Sequence, residues 1–267
     1  MRKTGIKRTS PGRRTPRVNQ CLILAAGNGS RLIPASGGSP KPLVQLHGKS
    51  LLEHVILAAR EAGIDKFVIV VGYGAHEMRQ WFAGRCLGAV SVSVVDNFEY
   101  HKHNGVSVLK ARDQIRDPFL LLMADHIFEP RTARALLEEP LAPGEVILAV
   151  DPKLDRIFDL DDATKVRRDG DHIVDIGKEI ADYDAFDTGM FLCSPAIFDT
   201  LESVKKEENC SLSDGMRALG REGRLRAFDI EDAVWQDVDT PEALAYTESI
   251  FDQQFCRTPS VESYTNV

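Results

Sequence analysis

Short apolar runs alternate with segments of helical spacing along the first 150 residues. The short runs predict buried strands, and the longer amphipathic segments between them predict helices. The predicted strands span residues 18–24, 66–71, 90–95, 119–123 and 146–150. The predicted helices span residues 51–62, 75–82, 107–115 and 131–138. This alternation favours a parallel sheet with helices on both faces.

The pattern changes after residue 151. A hairpin is predicted over residues 165–176, because the turn sequence RDGD separates two β-prone runs. Thr240 is predicted to cap a final helix that has Pro241 at its first position. The remaining predicted elements are strands at 185–193, 225–230 and 234–238 and helices at 196–201 and 212–219. We therefore predict one domain over residues 18–254, in which the C-terminal half adds β insertions to the same sheet.

The charges are unevenly distributed. Residues 1–17 carry seven of the 33 basic residues and no acid, which leaves 26 bases against 40 acids in the rest of the chain. An acidic body disfavours binding to a nucleic acid polymer, so any phosphorylated ligand must be held by a few local cations or a metal ion. We expect residues 1–17 to be a disordered basic tail and residues 255–267 to be a C-terminal tail.

The cysteine count and the apolar runs narrow the class of protein further. No apolar run reaches 18 residues, and no secretory signal follows the basic N-terminus, so stable membrane insertion is not expected. Five cysteines without C-x-x-C spacing disfavour a disulfide framework and a zinc site. Cys21 and Cys193 lie in apolar runs and are expected to be core residues. These features are typical of a reduced, cytoplasmic protein.

A glycine-rich loop follows the first predicted strand, with the sequence LAAGNGSRL over residues 24–32. Gly27 and Gly29 allow backbone N–H groups to approach a phosphate, and Arg31 adds a forked donor. A dinucleotide-binding fingerprint is excluded because Leu32 replaces its third glycine. A Walker loop is excluded because Leu43 stands where its first glycine is required. The loop thus predicts a phosphate site of another kind.

Four further residues are candidates for holding phosphate or metal. Lys41 lies between two prolines, which stiffen the backbone on both sides of it. Asp125 directly follows the predicted strand 119–123, while Asp237 and Asp239 would share one side of an extended strand. Carboxylates suit Mg²⁺, although Asp239 before Thr-Pro could also simply precede a helix.

Together, LAAGNGSRL and the PKPL segment at 40–43 resemble the signature of sugar-phosphate-type nucleotidyltransferases, and the resemblance covers roughly residues 18–252. It implies a Rossmann-like, GT-A-like α/β fold with a mixed, mostly parallel sheet. It also implies transfer of a nucleotidyl group from a nucleoside triphosphate to a phosphorylated acceptor, release of pyrophosphate, and Mg²⁺ as the cofactor.

The resemblance also implies roles for individual residues. The catalytic cations would be Arg31 and Lys41 at the triphosphate and Lys178 at the acceptor phosphate. The metal ligands would be Asp125 and Asp239. The other expected nucleotide-binding residues are Leu24, Ala25, Ala26, Gly27, Gly29, Gly72, Asn104, Gly105 and Ser107. The other expected substrate-binding residues are Glu179, Asp187 and Asp237. Asn104 could also be merely a helix N-cap, and the two roles can coexist.

A finer pattern is carried by MADH at 123–126, GKEI at 177–180, DTGMF at 187–191 and WQDVDTPE at 235–242. It resembles CTP:inositol-1-phosphate cytidylyltransferases, which implies CTP as donor, inositol 1-phosphate as acceptor and CDP-inositol as product. Sugar-specific members carry Glu-Lys-Pro where this chain has Gly-Lys-Glu at 177–179. The acceptor therefore stays open among inositol 1-phosphate, phosphocholine, a phosphonate, and other cyclitol or sugar 1-phosphates.

Other interpretations remain at this point. The chain could be an inactive nucleotide-binding relative, or a glycosyltransferase that uses Asp159, Asp161 and Asp162, although we interpret these acids as a solvated turn. His101 and His103 are expected to be exposed loop residues, and His126 to orient or line the site. Cytidylyltransferases of this type are often fused to a membrane phosphotransferase. We expect a stand-alone form, as a monomer or homodimer.

Overall fold

A computed structural model describes residues 18–32, 38–155, 159–160 and 162–255. The strands of this part are β1 (Gln20–Ala25), β2 (Gln45–Leu46), β3 (Lys49–Ser50), β4 (Lys66–Val71), β5 (Ser91–Asp96), β6 (Phe119–Met123), β7 (His126–Phe128), β8 (Val146–Asp151), β9 (Lys165–Asp169), β10 (His172–Gly177), β11 (Ala185–Cys193), β12 (Leu225–Asp229) and β13 (Trp235–Asp237). Its α-helices are α1 (Leu51–Ala62), α2 (Ala75–Ala83), α3 (Asn104–Lys110), α4 (Pro130–Glu138), α5 (Ala196–Val204), α6 (Leu212–Arg221) and α7 (Pro241–Gln254).

Nine strands form one mixed sheet in the order β5-β4-β1-β6-β11-β8-β12-β10-β9. The strands β5, β4, β1 and β6 are parallel, as the first half of the chain predicts, and β12 is parallel to β8. Strand β11 runs antiparallel to both β6 and β8, and the β9–β10 hairpin extends the far edge. Strands β7 and β13 pair antiparallel in a separate two-stranded sheet.

Helices cover both faces of the sheet, as predicted. One apolar cluster joins α3, α5 and α6 to the sheet through residues such as Val106, Leu201 and Met216. The opposite cluster joins α1 and α4 through residues such as Val55 and Leu136. A third cluster packs Phe251 of α7 with residues that include Leu32 and Val238. The fold thus places the glycine-rich loop and the two-stranded β7–β13 pair at the same end of the molecule.

Most predicted elements are found within one or two residues of their expected bounds. Two differ more. The predicted helix 107–115 begins earlier, at Asn104, and after Lys110 it gives way to a 3-10 helix at Arg112–Gln114. The predicted helix 196–201 extends three residues further, to Val204. Helix α6 continues through Gly220 to Arg221, and a Cβ at Gly220 would lie only 2.7 Å from the carbonyl oxygen of Ile173, so that glycine is required by packing. The predicted strand 234–238 pairs with β7 and not with the large sheet.

Several sequence expectations concern the surface and the chain ends. Cys21 and Cys193 are buried core residues, as expected, and His101 and His103 are exposed. Among the described residues, none of the helices has the length and apolar character that crossing a membrane requires. Residues 1–17 and 256–267, which make up the predicted N-terminal tail and all but Phe255 of the predicted C-terminal tail 255–267, lie outside the described residues, and Cys256 is among them.

Candidate active site

The glycine-rich loop after β1 lies directly against Lys41. Gly29 has a φ of +55°, and a Cβ at this position would lie 2.4 Å from the Cβ of Lys41. The N–H of Leu32 donates to the carbonyl of Gly29 at 3.0 Å, and the side chain of Leu32 is fully buried. The absent side chain of Gly29 is therefore what allows the loop to close over the lysine stem.

Lys41 is the most buried cation of the site. It is the first residue of a 3-10 helix, Lys41–Leu43, and only 7% of it is exposed. Its Nζ lies 2.5 Å from Oδ2 of Asp125 and 3.8 Å from Oδ1 of Asp237, and it also contacts Oδ1 of Asp239. A buried ammonium requires such compensation. The proline-bounded segment thus holds one cation at the centre of three carboxylates.

Pairing between β7 and β13 brings these carboxylates together. Asp125 immediately precedes β7, and Asp237 is paired in register with His126. The N–H of Val238 donates to the carbonyl of Asp125 at 3.0 Å, which fixes the two segments side by side. Asp237 and Asp239 both contact Lys41, as the alternation of an extended strand predicts.

The donor set fits Mg²⁺. One ligand atom from each of Asp162, Asp237 and Asp239 lies within 4.8 Å of the others, and the same holds for Asp125, His126 and Asp237. Oδ1 of Asp237 is buried and accepts no hydrogen bond from the described residues. Carboxylate oxygens are the protein ligands that Mg²⁺ prefers. Each of the predicted metal ligands, Asp125 and Asp239, therefore lies close to at least one further carboxylate that could bind the same ion.

The pKa values at this cluster reflect burial and neighbouring charge. Burial alone would raise the pKa of Asp237, but His126 and Lys41 outweigh it and lower the pKa to about 2. Burial alone would lower the pKa of His126, but Asp237 and Asp125 raise it to about 9. Nδ1 of His126 lies 2.8 Å from the carbonyl oxygen of Thr188. Burial raises the pKa of Asp187 to about 6, although Oδ1 accepts a hydrogen bond from the N–H of Gly189.

Asp162 corrects one sequence interpretation. It lies in the segment interpreted as a solvated turn, yet it pairs with Arg31 at 2.7 Å and contacts the ammonium of Lys178. Arg31 also contacts Asp239. Asp159 is exposed, and Asp161 lies outside the described residues. Asp162 thus joins the two cations that the sequence assigns to different substrates, Arg31 to the triphosphate and Lys178 to the acceptor.

Two cavities meet at this cluster. The smaller one, of about 250 Å³, is lined by the glycine-rich loop, including Leu24, Ala25, Gly27 and Gly29, and by Lys41. The larger one, of about 820 Å³, is lined by Lys178, Asp187 and Asp237 among others. Arg31, Asp125 and Asp239 line both cavities. Two anionic ligands could therefore approach each other across these three side chains.

The structure does not bring every predicted residue to the cavities. Ser107 is buried and its Oγ accepts a hydrogen bond from Nδ2 of Asn97 at 2.9 Å. Gly105 packs against the backbone of Cys210, and Glu179 is exposed. The carbonyl of Ala26 accepts from the N–H of Tyr73 at 3.0 Å, and Gly72 lies close to the same carbonyl oxygen.

Asn104 has a different structural role from the expected one. It does not cap its own helix, whose N-cap position is His103 without a side-chain hydrogen bond. Instead, Oδ1 of Asn104 accepts from the N–H of Leu212, at the start of α6, at 2.8 Å. Asn104 nevertheless lines the larger cavity. Its amide therefore joins two helices at the edge of the site.

Comparisons with known proteins identify the family of the chain. A family model described as "MobA-like NTP transferase domain" matches residues 21–222. The chain is 37% identical over 231 residues to the "Bifunctional IPC transferase and DIPP synthase" of Rubrobacter xylanophilus, covering 85% of this chain and 51% of that protein. It is 32% identical to the protein of the same name from Aquifex aeolicus, covering 84% of this chain and 50% of that protein.

A solved structure is similar over nearly its whole length. It is the inositol-1-phosphate CTP transferase from T. maritima, with a TM-score of 0.78 and 26% sequence identity, covering 90% of this chain and 98% of that one. In contrast, the chain spans about half the length of the curated relatives it matches.

Proposed function

Because the chain belongs to the MobA-like NTP transferase domain family, we propose that it transfers CMP from CTP to inositol 1-phosphate and releases CDP-inositol and pyrophosphate. The names of the similar protein from Rubrobacter xylanophilus and the similar structure from T. maritima support this donor and acceptor. CTP and a small phosphorylated acceptor are thus the partners that we propose for the two cavities.

The observation that carries this proposal is the junction between the cavities. Arg31, Asp125 and Asp239 line both of them, Lys41 lies on one side, and Lys178 lies on the other. Transfer of CMP from CTP to a phosphorylated acceptor requires two polyanions to come within reacting distance of each other. A site with cations on both sides and carboxylates at the junction suits that requirement.

We assign the triphosphate to the smaller cavity. The backbone of the glycine-rich loop, with Gly27 and Gly29, would bind phosphate oxygens, and Arg31 would add its planar fork of donors. Lys41 would neutralise charge near the α-phosphate from its buried position. In this arrangement Arg31 exchanges its carboxylate partners for phosphate oxygens when CTP binds.

The phosphate group of the acceptor would bind at Lys178 in the larger cavity. Asp187 and Asp237 would face the hydroxyl groups of the acceptor. A phosphate monoester has a second pKa near 6, so at neutral pH it is already a nucleophile and requires no general base. One of its oxygens forms a bond to the α-phosphorus of CTP. The bond between that phosphorus and the β-phosphate bridging oxygen breaks, and its electron pair leaves with pyrophosphate.

Asp125 and Asp239, with Asp237 beside them, would hold Mg²⁺. When bound, the ion would neutralise phosphate charge and stabilise the charge that develops on the leaving pyrophosphate. The three carboxylates that surround Lys41 would then interact with both the ammonium and the metal ion. The free thiols of Cys21 and Cys193 accord with the cytoplasmic location that we propose for this reaction.

A pyrophosphate-release assay tests the proposal. The four common nucleoside triphosphates are each combined with inositol 1-phosphate, glucose 1-phosphate, phosphocholine or 2-aminoethylphosphonate, with Mg²⁺ or with EDTA. We expect release with CTP and inositol 1-phosphate in Mg²⁺, and none in EDTA. A preference for another nucleotide would overturn the assignment of CTP. A preference for another acceptor would overturn the assignment of inositol 1-phosphate.

A further inference from the structure

Asp151, at the end of β8, fixes two side chains at the wall of the larger cavity. It is 3% exposed, and its Oδ2 accepts a hydrogen bond from Nε1 of Trp235 at 2.9 Å. Its Oδ1 accepts from the backbone N–H of Lys153 at 2.9 Å and lies 2.8 Å from the ammonium of the same residue. Both carboxylate oxygens and the single indole donor are thus satisfied, which holds the indole in one orientation.

The indole lies where an acceptor would bind. Trp235 lines the same cavity as Lys178 and Asp187. Its ring centroid is 5.6 Å from that of His126, and Nε2 of His126 is 3.8 Å from Asp125. Trp235 therefore stands beside the carboxylate cluster, on the side of the site assigned to the acceptor. No step of the proposed reaction makes use of it.

We propose that Trp235 is a specificity-determining residue that packs against the C–H face of a ring-shaped polyol phosphate, and that Asp151 is its positioning residue. This inference rests on the proposed function, because it gives a structural reason for the class of acceptor at that same site. A ring polyol combines an apolar C–H face with a rim of hydroxyl groups. A fixed aromatic wall beside a few polar groups suits such a molecule.

A trimethylammonium group could also pack against an indole face. The carboxylate of Asp151 compensates the ammonium of Lys153, so this ion pair does not decide between the two kinds of ligand. Phosphocholine is therefore the competing ligand in the titration, while an open-chain phosphonate has no ring face to offer.

The chain contains only two tryptophans, Trp81 and Trp235, so fluorescence can test the contact directly. Trp81→Phe leaves Trp235 as the single emitter, and Trp81 lies on α2 and lines neither cavity. Titration of this variant with inositol 1-phosphate is expected to change the emission saturably. Phosphocholine and 2-aminoethylphosphonate are expected to leave the emission unchanged. Trp235→Phe, in which only Trp81 emits, is expected not to respond to any of them.

Two outcomes of the titration would overturn the inference. One is that calorimetry detects binding of inositol 1-phosphate while the emission of Trp235 stays constant. The other is that inositol 1-phosphate does not bind at all. Because the titration needs no turnover, its outcome is separate from that of the proposed function, which fails if CTP and inositol 1-phosphate do not release pyrophosphate.

Kinetics of three variants extend the test. Trp235→Leu is expected to raise the KM for inositol 1-phosphate by about tenfold or more, the size of effect expected for one apolar contact, with an unchanged KM for CTP. Trp235→Phe keeps a flat ring and should retain most of the affinity. Asp151→Asn should raise the same KM and shift the emission of Trp235 in the Trp81→Phe background. An equal loss for every acceptor, or a fall in kcat alone, would contradict the inference.

Discussion

The ammonium of Lys41 lies 2.5 Å from Oδ2 of Asp125, so a buried cation and a predicted metal ligand form one pair at the junction of the two cavities. Lys41→Ala removes the charge that compensates three carboxylates and that would face the α-phosphate. We expect turnover to fall by at least about a hundredfold, as for the loss of one electrostatic group in an active site. Pyrophosphate release measures the effect. Lys49→Ala, at an exposed lysine, is the control, and near-normal turnover of Lys41→Ala would contradict the role.

Asp125→Ala tests the metal site. We expect at least about a hundredfold lower turnover, because a ligand that orients the ion and its phosphate partner is lost. Addition of Mg²⁺ and CTP should raise the melting temperature of the wild type but not of this variant. Asp113→Ala, at a largely exposed carboxylate, serves as the control. A variant that still responds to Mg²⁺ like the wild type would remove Asp125 from the ligand set.

Gly29→Ala tests the contact between the glycine-rich loop and Lys41. A methyl group 2.4 Å from the lysine Cβ must displace one of the two segments. Misplacement of about 1 Å can lower turnover by about a hundredfold, and we expect a loss of that order.

Gly170→Ala is the matched control for this substitution. Gly170 also has positive φ, but a Cβ there meets nothing within 4 Å. Backbone strain should cost both variants about 1–2 kcal/mol of stability in urea denaturation, and Gly29→Ala should lose more because of its contact with Lys41. Only Gly29→Ala should lose activity, and equal activity losses would show that the contact with Lys41 has no part in the effect.

Asn104 allows a structural and a binding role to be separated. Asn104→Ala removes the acceptor for the N–H of Leu212 and should destabilise the protein by about 1 kcal/mol. Asn104→Asp keeps an acceptor oxygen and should restore the stability. It lacks the amide donor, so the KM for CTP should remain raised in both variants if the amide contacts the nucleotide. A normal KM for CTP in both variants would leave Asn104 with the structural role alone.

Asp187 should make the protein less stable as the pH rises. Its pKa is raised to about 6, whereas an unfolded aspartate titrates near 3.8, so the unfolded chain loses this proton first. The cost therefore grows between about pH 4 and pH 6 and is complete above that range, at about 1–3 kcal/mol. Asp187→Asn should be more stable than the wild type at pH 7.5 in EDTA.

Urea denaturation at two pH values checks this sign. The difference between Asp187→Asn and the wild type should be clearly smaller at pH 4.5 than at pH 7.5. A constant difference would mean that the carboxylate is not destabilised by burial. If Asp187 also faces the acceptor, the more stable variant should have a higher KM for inositol 1-phosphate, so that stability and binding change in opposite directions.

The sequence predicts local structure well wherever neighbouring residues determine it. Helix α1 is predicted to its ends because Ser50 caps it, accepting from the N–H of Glu53, and Gly63 ends it in a left-handed conformation. The positions of Lys41 and Asp125 follow from the glycine-rich loop, the flanking prolines and the end of a buried strand. These signals lie within a few residues of the side chains that they place.

Contacts across the chain escape that kind of prediction. Asp162 is one of several acids in a polar segment, and its partner Arg31 is 131 residues away. The pair of Trp235 and Asp151 is 84 residues apart in the chain. The sequence around each of these residues does not show which distant residue it will contact. Only the order of the strands brings them to one cavity.

Strand β11 has a consequence for how this site could be altered. It lies between β6 and β8, and its register is fixed by pairing with both. The chain between β8 and β11 carries Lys178 and Asp162, whereas Arg31, Lys41, Asp125 and Asp239 all lie outside that segment. An engineer could exchange this segment alone for that of a relative with another acceptor. Strand β11 and the four donor-side residues would stay in place, so a change of product would not require rebuilding the donor site.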